Sequence, residues 1–360
     1  MSDLDFLGTR EQPTFGVDTF GDVALRADGT PTPYPEAIRE VVAEAIVCEQ
    51  HGLDYFGIGE HHRPDFAVSA PDMVLAAIAG QTQRIRLGTG VTVLSSDDPV
   101  RVFERFATLD AVSSGRAEIT VGRGSFTESF QLFGYSLTDY DILFEERLQL
   151  LAEVLTEGPV TWQGNTRAAL HDQQIYPKTQ RGRIPTWVGV GGTPESVVRA
   201  AAYGFPLVLA VIGGSPARFA PLVELYHRAL AEVDRPEQPV AMHSPGHVAA
   251  TDEQAREEHF LPQRDSFARI GRERGWGEPM SRQEYDAHCG PTGAYFVGSP
   301  ETVAQKVAWA IRTLGLSRFN LKYAVGNLPH EKRLESLRLY GSEVVPRVRE
   351  ILTTGAQGPR

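Results

Sequence analysis

Residues 84–124 read RIRLGTGVTVLSSDDPVRVFERFATLDAVSSGRAEITVGRG. A short apolar run over 84–94 gives way to Asp98-Pro99 and a segment of helical period to Ser113, and a second apolar run follows at 117–122. Strand, helix, strand is the repeating unit of a parallel sheet wrapped by helices. Working outward, the same alternation covers the chain, with eight apolar runs at 14–20, 54–59, 84–94, 117–122, 184–190, 206–212, 239–249 and 317–325. Helical segments lie at 35–51, 71–82, 99–113, 139–157, 194–203, 216–233, 300–314 and 331–351, and Pro opens six of these eight. Pro suits a first helical position because that N–H has no intrahelical partner. Eight strand and helix pairs predict an α/β fold, a (β/α)8 TIM barrel, in one domain spanning 1–360.

A barrel of this kind needs about 250 residues, so the surplus falls in insertions. One follows helix four: 160–180, with Gly164-Asn165 as a turn, reads as a short hairpin or irregular excursion. The other follows strand seven: 257–295, punctuated by Gly271, Gly275, Gly277, Pro279, Gly290, Pro291 and Gly293, reads as a long loop at the face where barrel active sites lie.

With 35 basic and 46 acidic residues the chain carries a net charge of −11, which argues against nucleic acid or an anionic membrane as partner. Only Cys48 and Cys289 are present, too few for a disulfide framework or a Cys-rich metal site, and a reduced, cytoplasmic setting is expected. The N-terminal residues carry no export signal, and no apolar stretch is long enough to span a bilayer.

Three loops could carry chemistry. After strand two stands Gly59-Glu60-His61-His62-Arg63; imidazole titrates near neutrality, so a His at a strand's C-terminal end can take or give a proton. A pair of solvent-facing histidines is the plainer alternative, and a metal site is disfavoured because adjacent residues point to opposite faces. After strand four, Gly122-Arg123-Gly124 sets a permanently charged fork beside open backbone, suited to a phosphate or carboxylate, or else to an acidic neighbour such as Glu128. After strand five, Gly191-Gly192-Thr193-Pro194-Glu195-Ser196 opens a helix whose free N–H groups would receive one phosphate, unless Thr193 simply caps it. Val297-Gly298-Ser299-Pro300 looks similar but follows the insertion, and reads as a Ser299 cap alone.

Taken in order, these residues resemble the bacterial luciferase-like, flavin-dependent monooxygenases. The resemblance runs over nearly the whole chain. Its carriers are Glu60-His61-His62, Gly88-Thr89-Gly90-Val91, Asp98-Pro99-Val100-Arg101, Ser114-Gly115-Arg116, Gly122-Arg123-Gly124 with Phe133-Gly134, and the glycine turn with Gly204-Phe205-Pro206. It implies His61 as the catalytic base, with His62 beside it, and Arg123, Gly191, Gly192, Thr193 and Ser196 as phosphate ligands. It implies a cis peptide at Gly90-Val91, next to Thr89, under the flavin ring. Where luciferase has a cysteine near the flavin, this chain has Gly122, so light emission is not expected.

The resemblance thus implies an FMN-dependent oxidoreductase of the monooxygenase kind, using reduced flavin and O2 on a small organic substrate. The flavin would be reduced by a separate reductase or in place. The alternatives are a deazaflavin (F420)-dependent dehydrogenase on the same barrel and a non-catalytic flavin-binding barrel. A homodimer is expected through 71–82 and 99–113, where Met73, Leu75, Ile78, Phe103, Phe106 and Leu109 occupy more than one helix face. The stretch 262–293 is expected to be poorly ordered and to close over flavin and substrate.

Overall fold

A computed structural model of the chain describes residues 7–26, 28–124, 126–275 and 278–354; Gly277, and the side chain of Arg274, lie outside that description. The strands are β1 (Thr14–Thr19), β2 (Tyr55–Ile58), β3 (Arg86–Thr89), β4 (Thr92–Val93), β5 (Ile119–Gly122), β6 (Val160–Trp162), β7 (Leu170–Gln173), β8 (Thr186–Val190), β9 (Leu207–Ala210), β10 (Val240–Val248), β11 (Phe296–Gly298) and β12 (Arg318–Lys322). The helices are α1 (Tyr34–Gln50), α2 (Pro71–Ala79), α3 (Pro99–Val112), α4 (Glu128–Leu132), α5 (Tyr140–Val154), α6 (Pro194–Tyr203), α7 (Ala220–Glu232), α8 (Asp252–Arg274), α9 (Arg282–Cys289), α10 (Pro300–Leu314), α11 (His330–Leu339) and α12 (Val345–Thr354).

Parallel pairing in the order β3-β2-β1-β12-β10-β9-β8-β5-β4 makes a nearly closed barrel. β3 and β4 are two pieces of the third predicted strand, broken at Gly90-Val91, whose peptide bond is cis. A parallel bridge from Leu87 to Ala117 brings β3 to the neighbourhood of β5, and Thr89 Oγ1 donates to the Thr120 carbonyl at 3.0 Å. The excursion at 160–180 contains an antiparallel hairpin, β6 with β7.

Local chemistry explains the helix ends. Asp98 caps α3 by accepting from the amides of Val100 and Arg101, with Pro99 at the first position. Ser299 caps α10, as read from sequence, and Gly315 ends it at φ 61°.

Two expectations change. The stretch 257–295 is mostly helical: α8 and α9 occupy it, with Thr251 accepting from Gln254 N at the start of α8 and a Ser281/Glu284 capping box opening α9. Its pattern is invisible to an apolar reading because the buried stripe of α8 is Ala255, His259 and Gln263, mostly polar residues at a spacing of four. The second concerns the apolar residues of α2 and α3. Leu75, Ile78, Phe103, Phe106 and Leu109 are all buried within the chain itself, leaving Met73, 70% exposed, as the one of the six that faces outward. Their abundance therefore reflects packing against the barrel and each other.

The barrel's lower interior is ionic. Glu118 receives Arg318 at 2.8 Å and the Trp187 indole at 2.9 Å, and also binds Arg86. Burial opposes ionisation of Glu118, but the two guanidiniums prevail and hold its carboxyl down at about 2.

Candidate active site

A cavity of about 460 Å³ opens at the C-terminal ends of the barrel strands, a volume suited to a small-molecule site. His61, His62, Thr89, Gly90, Val91, Arg123, Gly191 and Ser196 line it, so loops far apart in sequence meet there. Gly192 and Thr193 adjoin through the same turn, where the Thr193 hydroxyl donates to Ser196 Oγ at 2.8 Å.

One end of the cavity is built for an anion. Thr193 stands at the N-cap of α6, yet its side chain makes no cap hydrogen bond, so the first amides of the helix keep no side-chain acceptor. A Cβ on Gly191 would meet nothing within 4 Å, which leaves the turn's backbone approachable. Arg123 reaches this turn with Nη2 3.4 Å from Ser196 Oγ, while Nη1 pairs with the exposed Asp141 at 3.1 Å. Glu128, the acidic neighbour considered for Arg123, is instead bound to Arg63.

The adjoining floor is flat because it is glycine. A Cβ on Gly122 would stand 2.9 Å from Val91 Cγ2, and one on Gly189 would stand 3.0 Å from Val91 Cγ1, so Val91 fills space that side chains there would take.

His61 is enclosed by Phe20, Phe66 and Phe126, with ring centroids at 4.5, 4.6 and 5.1 Å. Its Nε2 is buried and makes no hydrogen bond among the described residues, and burial lowers the imidazole to about 3. It is therefore neutral at working pH and a weak base, which departs from the near-neutral titration expected of it. Its open nitrogen suits a hydrogen bond to a ligand. His62 is tied to Glu60 at 2.9 Å, whose other oxygen accepts from Val93 N at 2.9 Å, so this pair braces the broken strand.

The sequence reading missed a second polar group on the opposite side. Asp18 of β1 accepts from His243 Nδ1 of β10 at 2.8 Å, and Lys322 of β12 donates to Asp22 at 2.9 Å; all four line the cavity. Strand alternation was the available signal: Asp18 and Lys322, paired in register, lie two residues after Gly16 and Asn320, and the register His243↔Asn320 puts His243 on the same inward face.

Helix α8 roofs the cavity with Gln263, Ser266, Phe267 and Ile270. It is fastened to the loop after β2, where Arg63 donates to both oxygens of Glu273 at 2.7 Å and Asp65 meets Arg269 at 2.8 Å.

These residues suit a flavin-type cofactor that carries a phosphate: an anion cradle lies at one end with a glycine floor beside it, and an unpartnered imidazole nitrogen lines the same cavity. Comparison with known proteins agrees, since the sequence pattern of the luciferase-like monooxygenases matches residues 19–318. The chain belongs to the luciferase-like monooxygenase family. Within that family it is 28% identical over 215 residues to the alkanal monooxygenase alpha chain of Photorhabdus luminescens, covering 59% of each protein. The chain spans little more than half the length of the curated relatives it matches, 52% and 59% for two of them. The oxygenating constituent of 3,6-diketocamphane monooxygenase from Pseudomonas putida, solved with FMN, superposes with a TM-score of 0.74 at 18% identity over 93% of this chain and 98% of that one. The coenzyme F420-dependent tetrahydromethanopterin reductase of Methanopyrus kandleri gives 0.67 at 19% identity, over 93% and 99%. Both likenesses establish the barrel fold.

Proposed function

We propose that this luciferase-like protein is an FMN-dependent monooxygenase acting on a small organic substrate. The observation that carries the reading is the convergence of Arg123, Ser196 and the uncapped start of α6 at one end of a glycine-floored cavity. Arg123 and the amides after Gly191 would hold the phosphate, while Gly122, Gly189 and Val91 would support the ring. Reduced flavin, when bound, supplies two electrons to O2 and makes oxygen transfer available. The protein's part is then placement and exclusion of water. His61 offers a neutral hydrogen bond at Nε2, Phe20, Phe66 and Phe126 keep that region dry, and α8 serves as the lid.

The second reading is a deazaflavin (F420)-dependent dehydrogenase, favoured by the likeness to the F420-dependent reductase. Titration with FMN and with F420, followed by rapid mixing of the reduced complex with oxygen, separates the two. Tight binding of F420 alone, or reduced FMN complex that leaves oxygen consumption at the free-flavin rate, would overturn the monooxygenase assignment.

The proposal includes a flavin reductase as the electron source and a cytoplasmic setting, in keeping with two buried free thiols at Cys48 and Cys289. No helix among the described residues is long and apolar enough to cross a membrane. It also includes a homodimer through α2 and α3, resting on Met73 and Val112, which are 70% and 54% exposed. Light scattering at micromolar concentration should give twice the 39.5 kDa chain mass; the chain mass itself would refute it.

A further inference from the structure

The cavity half opposite the anion cradle has its own chemistry. Asp18 is 2% exposed and His243 9%, both on strands, and among the described residues the His243 ring makes no hydrogen bond other than the one to Asp18. Beside a carboxylate, Nδ1 carries the proton, which leaves Nε2 as the lone-pair nitrogen of a ring that lines the cavity. Asp18 Oδ1 is buried without a donor, and so is Asn320 Oδ1.

The charges facing His243 are Asp18 on β1, Asp22 just after it and Lys322 on β12, with the neutral His61 beyond Phe20. Two carboxylates against one ammonium, itself bound to Asp22, leave no spare cation for a carboxylate or phosphate. The walls are aromatic and aliphatic. Phe20 lies parallel to His243 within 18° at 6.1 Å, and Phe66, Phe126, Phe267 and Ile212 are among the other residues that line the cavity. A flat, uncharged molecule with one hydroxyl donor, aimed at Nε2, suits the walls and the charge balance.

We propose that this half-cavity takes a planar substrate with an acidic hydroxyl, a phenol or enol, and that His243, positioned by Asp18, accepts its proton. This rests on the flavin reading above and adds the substrate class and its base to it. The hydroxyl O–H bond breaks with its electron pair left on oxygen, and an N–H bond forms at His243 Nε2. The resulting imidazolium lies between the Asp18 carboxylate and the new oxyanion, so its charge is balanced on both sides. Deprotonation makes the ring more electron-rich and a better acceptor of an oxygen atom.

4-Nitrophenol is a suitable probe because its anion has a separate absorption band. Difference spectra of the FMN-loaded protein, taken below the probe's own pKa, should show bound probe as the phenolate. In His243→Gln the bound probe should stay neutral, with FMN quenching unchanged, and Asp18→Asn should lower the phenolate fraction. Bound probe that is neutral in the unmodified protein, a phenolate band that survives in His243→Gln, or no probe binding to an FMN-loaded protein would each overturn the proposal. A neutral bound probe in the unmodified protein overturns the proposal even if a variant fails to fold. Failure of FMN itself to bind would refute the flavin reading instead, and it is read in the same titration before the probe is added.

Discussion

Replacing Arg123 with Ala tests the anion cradle directly. In the free protein its guanidinium already pairs with Asp141 at 3.1 Å, but Asp141 is 82% exposed, so that pair is worth about 0.5 kcal/mol. A charge-assisted contact to phosphate is worth about 1.5–3 kcal/mol. Because Asp141 competes for the same guanidinium, the net loss on removing Arg123 should be about 1–2.5 kcal/mol, or about 5- to 60-fold in FMN affinity. Riboflavin carries the same ring without the phosphate, so its affinity should change little. The assay is flavin fluorescence quenching with both ligands at two salt concentrations, since the Arg123 side chain is 30% exposed and its contribution is partly screened. Asp141→Asn should move FMN affinity the other way by freeing the guanidinium. Equal losses for FMN and riboflavin in Arg123→Ala would refute the phosphate assignment, whatever their size.

The remaining predictions concern the scaffold around the cavity. His61, lowered to about 3 by burial, stays neutral in the folded chain while its unfolded form takes a proton below about 6.5; stability should therefore fall as pH drops through that window, by up to about 1.4 kcal/mol per unit. His61→Gln should flatten that acid limb in melting curves, and an unchanged limb would mean that the ring is not the buried neutral group described. Glu118→Gln leaves Arg318 and Arg86 without their buried counter-charge and should cost about 3–5 kcal/mol in denaturant unfolding, whereas a cost within experimental error would contradict the ionic core. Arg63→Ala removes the fastening of α8 at Glu273, so amide exchange should accelerate over 252–274 and stay unchanged in the barrel strands. Unchanged exchange in α8 would show that other contacts hold the roof.

The barrel was legible because its strands and helices each carry their own signal. Runs such as Leu207–Ala210 are short, apolar and bounded, and helices such as α3 open on Asp-Pro with buried residues at helical spacing. Where that signal fails, the cause is a buried position filled by something other than an apolar residue. Helix α8 faces inward through His259 and Gln263, which are buried and hydrogen-bonded to Tyr285 and Tyr295, so polarity there marks the interior and not solvent. The last helix fails differently. Residues 331–351 follow one helical period, but the backbone widens into a π-turn at Tyr340–Val344, where a Cβ on Gly341 would stand 2.5 Å from the His51 carbonyl oxygen.

The same distinction divides the two halves of the cavity. His61, Arg123 and the turn at Gly191 each stand in a compact loop, so a few adjacent residues betray them. Asp18 and His243 are 225 positions apart and meet only because β12 lies between β1 and β10 in the barrel. No local pattern announces such a pair; each of its members appears in sequence as one polar residue inside a strand. Read with the alternation of a barrel strand, however, Asp18, His243 and Lys322 all fall at inward positions, Asp18 and Lys322 toward their strands' C-terminal ends. Contiguous motifs thus mark the side that, in the proposed function, would take the cofactor's phosphate. Under the proposal made above, the dispersed pair marks the side that would meet the substrate, and that is the side to vary when looking for it.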